Sequence, residues 1–502
     1  MVDKVFLERI LSGDAWHLSR KMRLLVAIAP MFLVVLLTLF INRWVDNHLL
    51  LKIISMSAIS LLFMAPSILL REDELAALFC IVVHVYVDWY LGARYVALGL
   101  IMVFLGVRYL TRSPEQVWTL PRMRVLWLLL LLLAIFPALR AYTLQEGATY
   151  YLTIFLAALL TFWLGNMLAR DIIHVRRLFS LLAAFSTLLA LVTLVQALTG
   201  KLALYSPRYD QFITQAHDYV LTKGSSIHRI GGWFVDPDWN GAFLAIVVFL
   251  PLSLFFVSSR LWTKALYLGE VALILLALLT TYTTGAWIAA IVALFVFLIF
   301  LGNLRSRLLL GGLILLGVAI VLLFFHTQLI RQLEHATTTS DFMIRLTAWQ
   351  TGLRVIRAFP WTGLGLGLHS YLYHMPIALH AKGGYYRALG TPQNSYLEVP
   401  AMGGVLLGIV FLALLSLAIW GAWRNWRRAE SQTRMLLAGG IAAAISLSVN
   451  SLGNQGWTVA VLAAMGWLIL GLVSSPLLMR NLSRPVAQAQ RDNEQSVDAP
   501  EA

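Results

Sequence analysis

The chain has 502 residues, 60% hydrophobic and only 12% charged, whereas soluble domains are about one-quarter charged, so the bulk of it must sit in lipid. A single cysteine excludes an internal disulfide framework and any multi-cysteine metal or iron–sulfur site. The excess of 38 Lys and Arg over 24 Asp and Glu reads as membrane topology, not nucleic-acid binding, because cytoplasmic loops collect basic residues.

Crossing the hydrocarbon layer takes roughly 17 to 25 mostly apolar residues, and about fourteen runs of that kind follow one another. They centre near Val34, Leu61, Val83, Leu100, Leu130, Leu159, Leu188, Val248, Leu275, Val292, Leu315, Ile409, Ala443 and Leu468. Only Leu91 to Arg94 separates the third from the fourth, so twelve spans is the alternative count. The first run follows a basic segment but lacks a small-residue cleavage site, and it reads as an anchor. With the N-terminus inside, the inner segments carry 24 of the 38 Lys and Arg, and both termini are expected in the cytoplasm. The predicted fold is all-α, a polytopic membrane helical bundle with two long outer loops. A transmembrane bundle covers 1–198 and a first outer loop 199–240, followed by central transmembrane helices over 241–325. A large outer loop containing helices covers 326–403, C-terminal transmembrane helices cover 404–479, and a disordered cytoplasmic tail covers 480–502.

The elaborate sequence lies in the outer loops. The first ends in Arg229-Ile-Gly-Gly-Trp-Phe-Val-Asp-Pro-Asp-Trp-Asn240 and leads straight into a span, with Asp236, Pro237, Asp238 and Asn240 supplying turn and helix-start chemistry. In the second, Ser340 opens a predicted helix that Pro360 stops, and Arg345, Trp349, Gly352 and Ile356 share one face. An arginine on a partly apolar face needs an anionic partner, whereas Arg354 and Arg357 read as solvated. Gly363-Leu-Gly-Leu-Gly367, followed by His369, lacks the spacing and the preceding strand of a nucleotide site, so these glycines let the loop re-enter beside other helices. Thr391-Pro-Gln-Asn-Ser-Tyr-Leu-Glu398 then leads to Gly403 and Gly404. Singly, Gln393, Asn394 and Glu398 are ordinary helix-start residues.

The order of these pieces resembles the bacterial O-antigen ligase and polymerase superfamily. Arg229 with the Asp236-Pro237 stretch and Asn240, then Arg345, Trp349, Pro360, Gly363, Gly365 and Gly367, then Asn394, Tyr396, Leu397, Glu398 and Gly404 carry the likeness. Asn394 and Gly404 fit the family's His-Asn-x-x-Leu pattern with its glycine ten residues on. Three positions depart from it: Gln393 stands where the ligases carry histidine, Met402 where a glutamate is common, and Thr284 where a serine-arginine-glycine turn has its arginine.

The resemblance implies transfer of a glycan from an undecaprenyl diphosphate carrier to a glycan, lipid A core or protein acceptor, without nucleotide, metal or other cofactor. It implies the periplasmic face of a bacterial inner membrane, contact with membrane lipids and with other polysaccharide assembly proteins, and no nucleic acid. The leaving diphosphate needs cations at headgroup depth, a task that suits Arg229 and Arg345. Gln393 cannot act as a base near neutral pH. The acceptor's proton therefore falls to Glu398, to a loop histidine such as His369, or to Asp236 or Asp238, unless Gln393 and Asn394 simply orient the hydroxyl. Asp236, Asn240, Trp349, Gly363, Gly365, Gly367, His369 and Tyr396 complete the expected substrate-binding set. The missing histidine tilts the reading from ligase toward polymerase. The competing readings are a transporter or flippase, since His84, Asp88 and Glu270 are ionisable groups within spans, and a non-catalytic assembly subunit. Against transport, neither inverted repeats nor paired broken helices are evident.

Overall fold

The computed structural model describes residues 121–169, 172–199, 218–221, 225–234, 236–301, 340–379 and 391–476, with isolated positions such as Glu74, Ile101, Arg305 and Leu478. The regular elements among the described residues are helices, as the all-α reading expects, with one short antiparallel hairpin that it does not include. The hairpin pairs β1 (Asp218–Leu221) with β2 (Ser225–His228), Asp218 opposite His228, inside the first long loop. The predicted spans near Val34, Leu61, Val83 and Leu315 lie outside the described residues, as do His84 and Asp88.

Among the described residues six helices are long and apolar enough to cross a membrane. They are α2 (Leu144–Leu168), α3 (Ile172–Thr199), α4 (Pro237–Val257), α5 (Leu261–Thr280), α10 (Val405–Arg428) and α11 (Ser431–Asn450). The helices α1 (Pro121–Leu139), α6 (Thr284–Phe300) and α12 (Ala460–Ser474) are apolar but shorter. Between α6 and α10 lie three helices of the large loop, α7 (Ser340–Ala358), α8 (Leu368–Leu379) and α9 (Ser395–Gly403).

Two helices are apolar all round and form the centre: Ala242 to Leu250 of α4 and all of α12 are buried. Pro251 interrupts α4 just after Val248, because its ring nitrogen carries no hydrogen for the carbonyl one turn back. Without water to drive helices together, their association depends on close packing, and small residues supply it. A Cβ on Gly471 of α12 would lie 2.2 Å from the Phe162 carbonyl oxygen of α2, so only glycine admits this approach. Leu132, Phe295 and Ile299 point outward, a surface suited to hydrocarbon.

The two ends of the bundle differ. One carries Arg424, Arg427 and Arg434 beside Trp420, Trp423 and Trp426, with guanidinium-to-ring distances of 5.0 to 5.5 Å, as at a headgroup layer. The other, a helix length of about 36 Å away along the 24 residues of α10, gathers the loops before α4, between α5 and α6, around α7 to α9, and between α11 and α12.

Candidate active site

The loop-bearing end is organised around the start of α4. Asp236 caps it, accepting from the Asp238 and Trp239 backbone N–H groups at 2.7 and 3.3 Å, and Pro237 occupies the first helical position with its φ already suited to a helix. Asp238 is thereby fixed in the first turn. Arg229 reaches it with Nη2, and its Nε and Nη2 also donate to the Thr281 carbonyl at 3.2 Å and the Thr283 hydroxyl at 3.1 Å. Ile230 N–H joins the Thr280 carbonyl, so the loop before α4 is tied to the α5–α6 turn.

Arg345 arrives from α7. Its Nη1 donates to the Gly453 carbonyl in the α11–α12 turn, and its Nη2 lies 3.7 Å from Asp238 Oδ2, while Arg229 occupies Oδ1. Two guanidiniums from distant parts of the chain therefore meet on one carboxylate. The side chains of Arg229, Asp238 and Arg345 are 13%, 21% and 34% exposed, so the cluster is sheltered yet open on the Arg345 side. Burial, with the neighbouring Asp238 charge, pushes the Asp236 carboxyl up to about 6. Asn240 is buried one turn into α4, its amide nitrogen donating to the Thr193 hydroxyl and the Ile230 carbonyl at 3.2 and 3.3 Å.

Behind Arg345, α9 and the α11–α12 turn lock together. Asn394 caps α9, accepting from the Tyr396 and Leu397 N–H groups, and donates to the Leu452 carbonyl at 2.8 Å, so both ends of its amide are committed. Tyr396 donates to the Ser448 carbonyl at 2.8 Å, and Trp349 is partly buried on α7. Glu398 is fully buried and accepts from Thr458 at 2.7 Å and Gln455 at 3.2 Å; burial lifts its carboxyl to about 7. Tyr371 of α8 is buried nearby, its hydroxyl pushed up by burial and by the Glu398 charge. Gln393 is half-buried and adopts φ of 50°, as does Tyr282 in the α5–α6 turn. Both are non-glycine residues in the left-handed region, a conformation that costs of order 1 kcal/mol and concentrates at functional sites.

The glycine-rich stretch has a packing role. Leu364 and Gly365 N–H groups bond the Ala401 and Met402 carbonyls at 3.0 and 2.9 Å, and Leu366 N–H takes the Pro137 carbonyl of α1 at 2.9 Å. Gly363, Gly365 and Gly367 are buried at positive φ, where a side chain on any of them would meet backbone or the Glu146 carboxylate. His369 is exposed at the start of α8; its backbone N–H and its Nδ1 lie 2.7 and 3.2 Å from Glu146 Oε1. Arg354 and Arg357 are exposed.

The structure thus brings Arg229, Asp236, Asp238 and Arg345 together and seats Asn394, Tyr396 and Glu398 in the wall that carries Gly453. It gives Gly363, Gly365, Gly367 and His369 contacts of their own with α1, α2 and α9. Sequence reasoning missed the α11–α12 turn, with Gly453, Gln455 and Thr458, and the hydroxyls of the α5–α6 turn. Only the polar run Asn454-Gln455 between two apolar segments could have signalled it.

Two arginines paired on one carboxylate at one end of an apolar helical bundle are the class of arrangement found here, in a protein whose helices are long and apolar enough to cross a membrane. Residues 269–412 match the family model described as O-antigen ligase, and the match supports membership of the O-antigen ligase superfamily. The matched stretch includes Thr283, Arg345, Asn394 and Glu398; Arg229, Asp238 and Gly453 lie beyond it. No match was found among curated proteins. The six apolar helices, together with this similarity, mark the chain as an integral membrane protein.

Proposed function

We propose that the chain is a glycosyltransferase of the bacterial inner membrane that moves a glycan from a polyprenyl diphosphate carrier onto an acceptor at the periplasmic face, as polymerase or ligase. One observation carries the reading: Arg229 and Arg345 converge on the two oxygens of Asp238. A cation pair held at that spacing, each aimed by a backbone carbonyl, is preorganised for the oxygens of a diphosphate. The acceptor hydroxyl oxygen attacks the anomeric carbon, and the bond to the diphosphate oxygen breaks with its electron pair leaving on the diphosphate. The arginines stabilise that charge. The acceptor's proton passes to a carboxylate, and Asp236, beside the pair, half-buried and held above the ordinary carboxylate range by burial, suits this role better than the fully enclosed Glu398.

The transport reading retains one observation, a buried Glu270 in α5 whose Oε2 has no hydrogen-bond partner among the described residues. A strain lacking the chain separates the possibilities. Polymer accumulating on the lipid carrier identifies a ligase, and single repeat units identify a polymerase. Unchanged glycan, with solute uptake lost from reconstituted vesicles, refutes transferase activity.

A further inference from the structure

Helix α6 begins without a side-chain cap. Its cap position, Thr283, directs its hydroxyl to the Pro237 carbonyl at 2.9 Å and accepts from Arg229, and no acidic residue follows in the first turn. The first N–H groups of this 17-residue helix therefore carry the partial positive charge of an uncompensated N-terminus. Against them lies Asn450, the last residue of α11. It is 2% exposed, and neither Oδ1 nor Nδ2 has a hydrogen-bond partner among the described residues. Oδ1 lies 3.6 Å from where a Cβ on Gly285 would stand, so the amide faces the first turn of α6. A buried amide with both ends unsatisfied is costly as a packing residue, whereas an anion at the helix terminus would accept from its Nδ2 once the amide turns that end, in place of Oδ1, toward the helix. The position adjoins the arginine pair on both sides. Thr283 is bonded to Arg229, and the Asn450 carbonyl accepts from Gly453 N–H at 3.1 Å, in the same turn that holds Arg345.

We propose that the α6 N-terminus and the Asn450 amide form a second anion subsite, taking one phosphate of the lipid diphosphate while Arg229 and Arg345 take the other. The inference rests on the transferase reading above and adds to it a division of labour between the two phosphates.

The test measures binding of farnesyl diphosphate and farnesyl monophosphate to the full chain in lipid nanodiscs. Wild type is expected to prefer the diphosphate. Asn450→Leu, close in volume and apolar, is expected to weaken the diphosphate about tenfold and leave the monophosphate unchanged. Its Tm should hold or rise, because an unsatisfied buried amide has been removed. Thr284→Pro removes one N–H at a helix position where proline fits, and should weaken the diphosphate several-fold. Wild-type affinity for the diphosphate in Asn450→Leu overturns the subsite, as does a fall in Tm accompanied by equal losses for both ligands. If wild type binds neither probe, or Arg345→Ala binds both as wild type does, the transferase reading fails and the subsite fails with it.

Discussion

Arg345→Ala is the substitution that best separates chemistry from folding. Arg345 makes one bond to the Gly453 carbonyl and a loose 3.7 Å ion pair to Asp238, and its side chain is 34% exposed. An ion pair this open contributes about 0 to 1 kcal/mol, and the carbonyl bond about 1.5 to 3. The bundle, held by α4 and α12, should absorb that loss. If the guanidinium instead makes two charge-assisted bonds to a departing diphosphate, their loss raises the barrier by about 3 to 6 kcal/mol, a rate loss of about 10² to 10⁴. Arg229 is a poorer probe. It is 13% exposed and ties Asp238 to the α5–α6 turn, so its removal unpairs a sheltered carboxylate and costs folding as well. The assay is transfer from a polyprenyl diphosphate oligosaccharide by purified protein, with membrane abundance and Tm measured in parallel. Arg345→Lys, which keeps the charge but not the fork, should recover only part of the rate. An Arg345→Ala enzyme within about threefold of wild type would refute the clamp.

Two further outcomes follow from the wall behind Arg345. Burial raises the Glu398 carboxyl from 4.5 to about 7, so the folded state holds that proton more tightly than the unfolded chain. Its stabilising contribution is complete below about pH 4.5 and is lost as pH rises through 7, about 3 kcal/mol in all. Melting from pH 5 to 8 should show this slope in wild type and not in Glu398→Gln, and equal slopes would remove the assignment. Gly404 sits at φ of 89°, and a Cβ there would come within 2.5 Å of the Trp361 carbonyl oxygen. Gly404→Ala should cost about 3 kcal/mol or more, read as lost abundance in the membrane, and normal abundance would refute that packing argument.

What the sequence disclosed and what it hid divide along a physical line. Apolar length is a local property, so the helices around Leu188, Val248 and Ile409 were readable from it. Arg345 stood out because a cation on a partly apolar helix face demands a partner, and Arg354 on the opposite face did not. The partner itself was not readable: Asp238 in isolation is first-turn helix chemistry, and only the tertiary fold sets both arginines on it. The α11–α12 turn was hidden for the same reason. Ser451-Leu452-Gly453-Asn454 has the composition of any connection, and its importance lies in two backbone carbonyls, Leu452 and Gly453, which no side-chain pattern can announce. Asn394 matched the family pattern, and its amide is committed to capping α9 and gripping the Leu452 carbonyl, a structural task that the pattern alone did not disclose.

The dependence on carbonyls also explains how a protein with few polar residues can hold two cations in register. Arg229 is aimed by the Thr281 carbonyl and Arg345 by that of Gly453, one just after α5 and the other just after α11. Helix α4 carries Asp238 in its first turn and runs into the centre, where the Ser446 hydroxyl of α11 donates to the Ala245 carbonyl at 2.8 Å. The separation of the guanidiniums is therefore set by how α5, α6 and α11 pack on α4 in the core. Backbone carbonyls cannot change rotamer, so an arginine pair referenced to them keeps its geometry in a way that long arginine side chains alone would not.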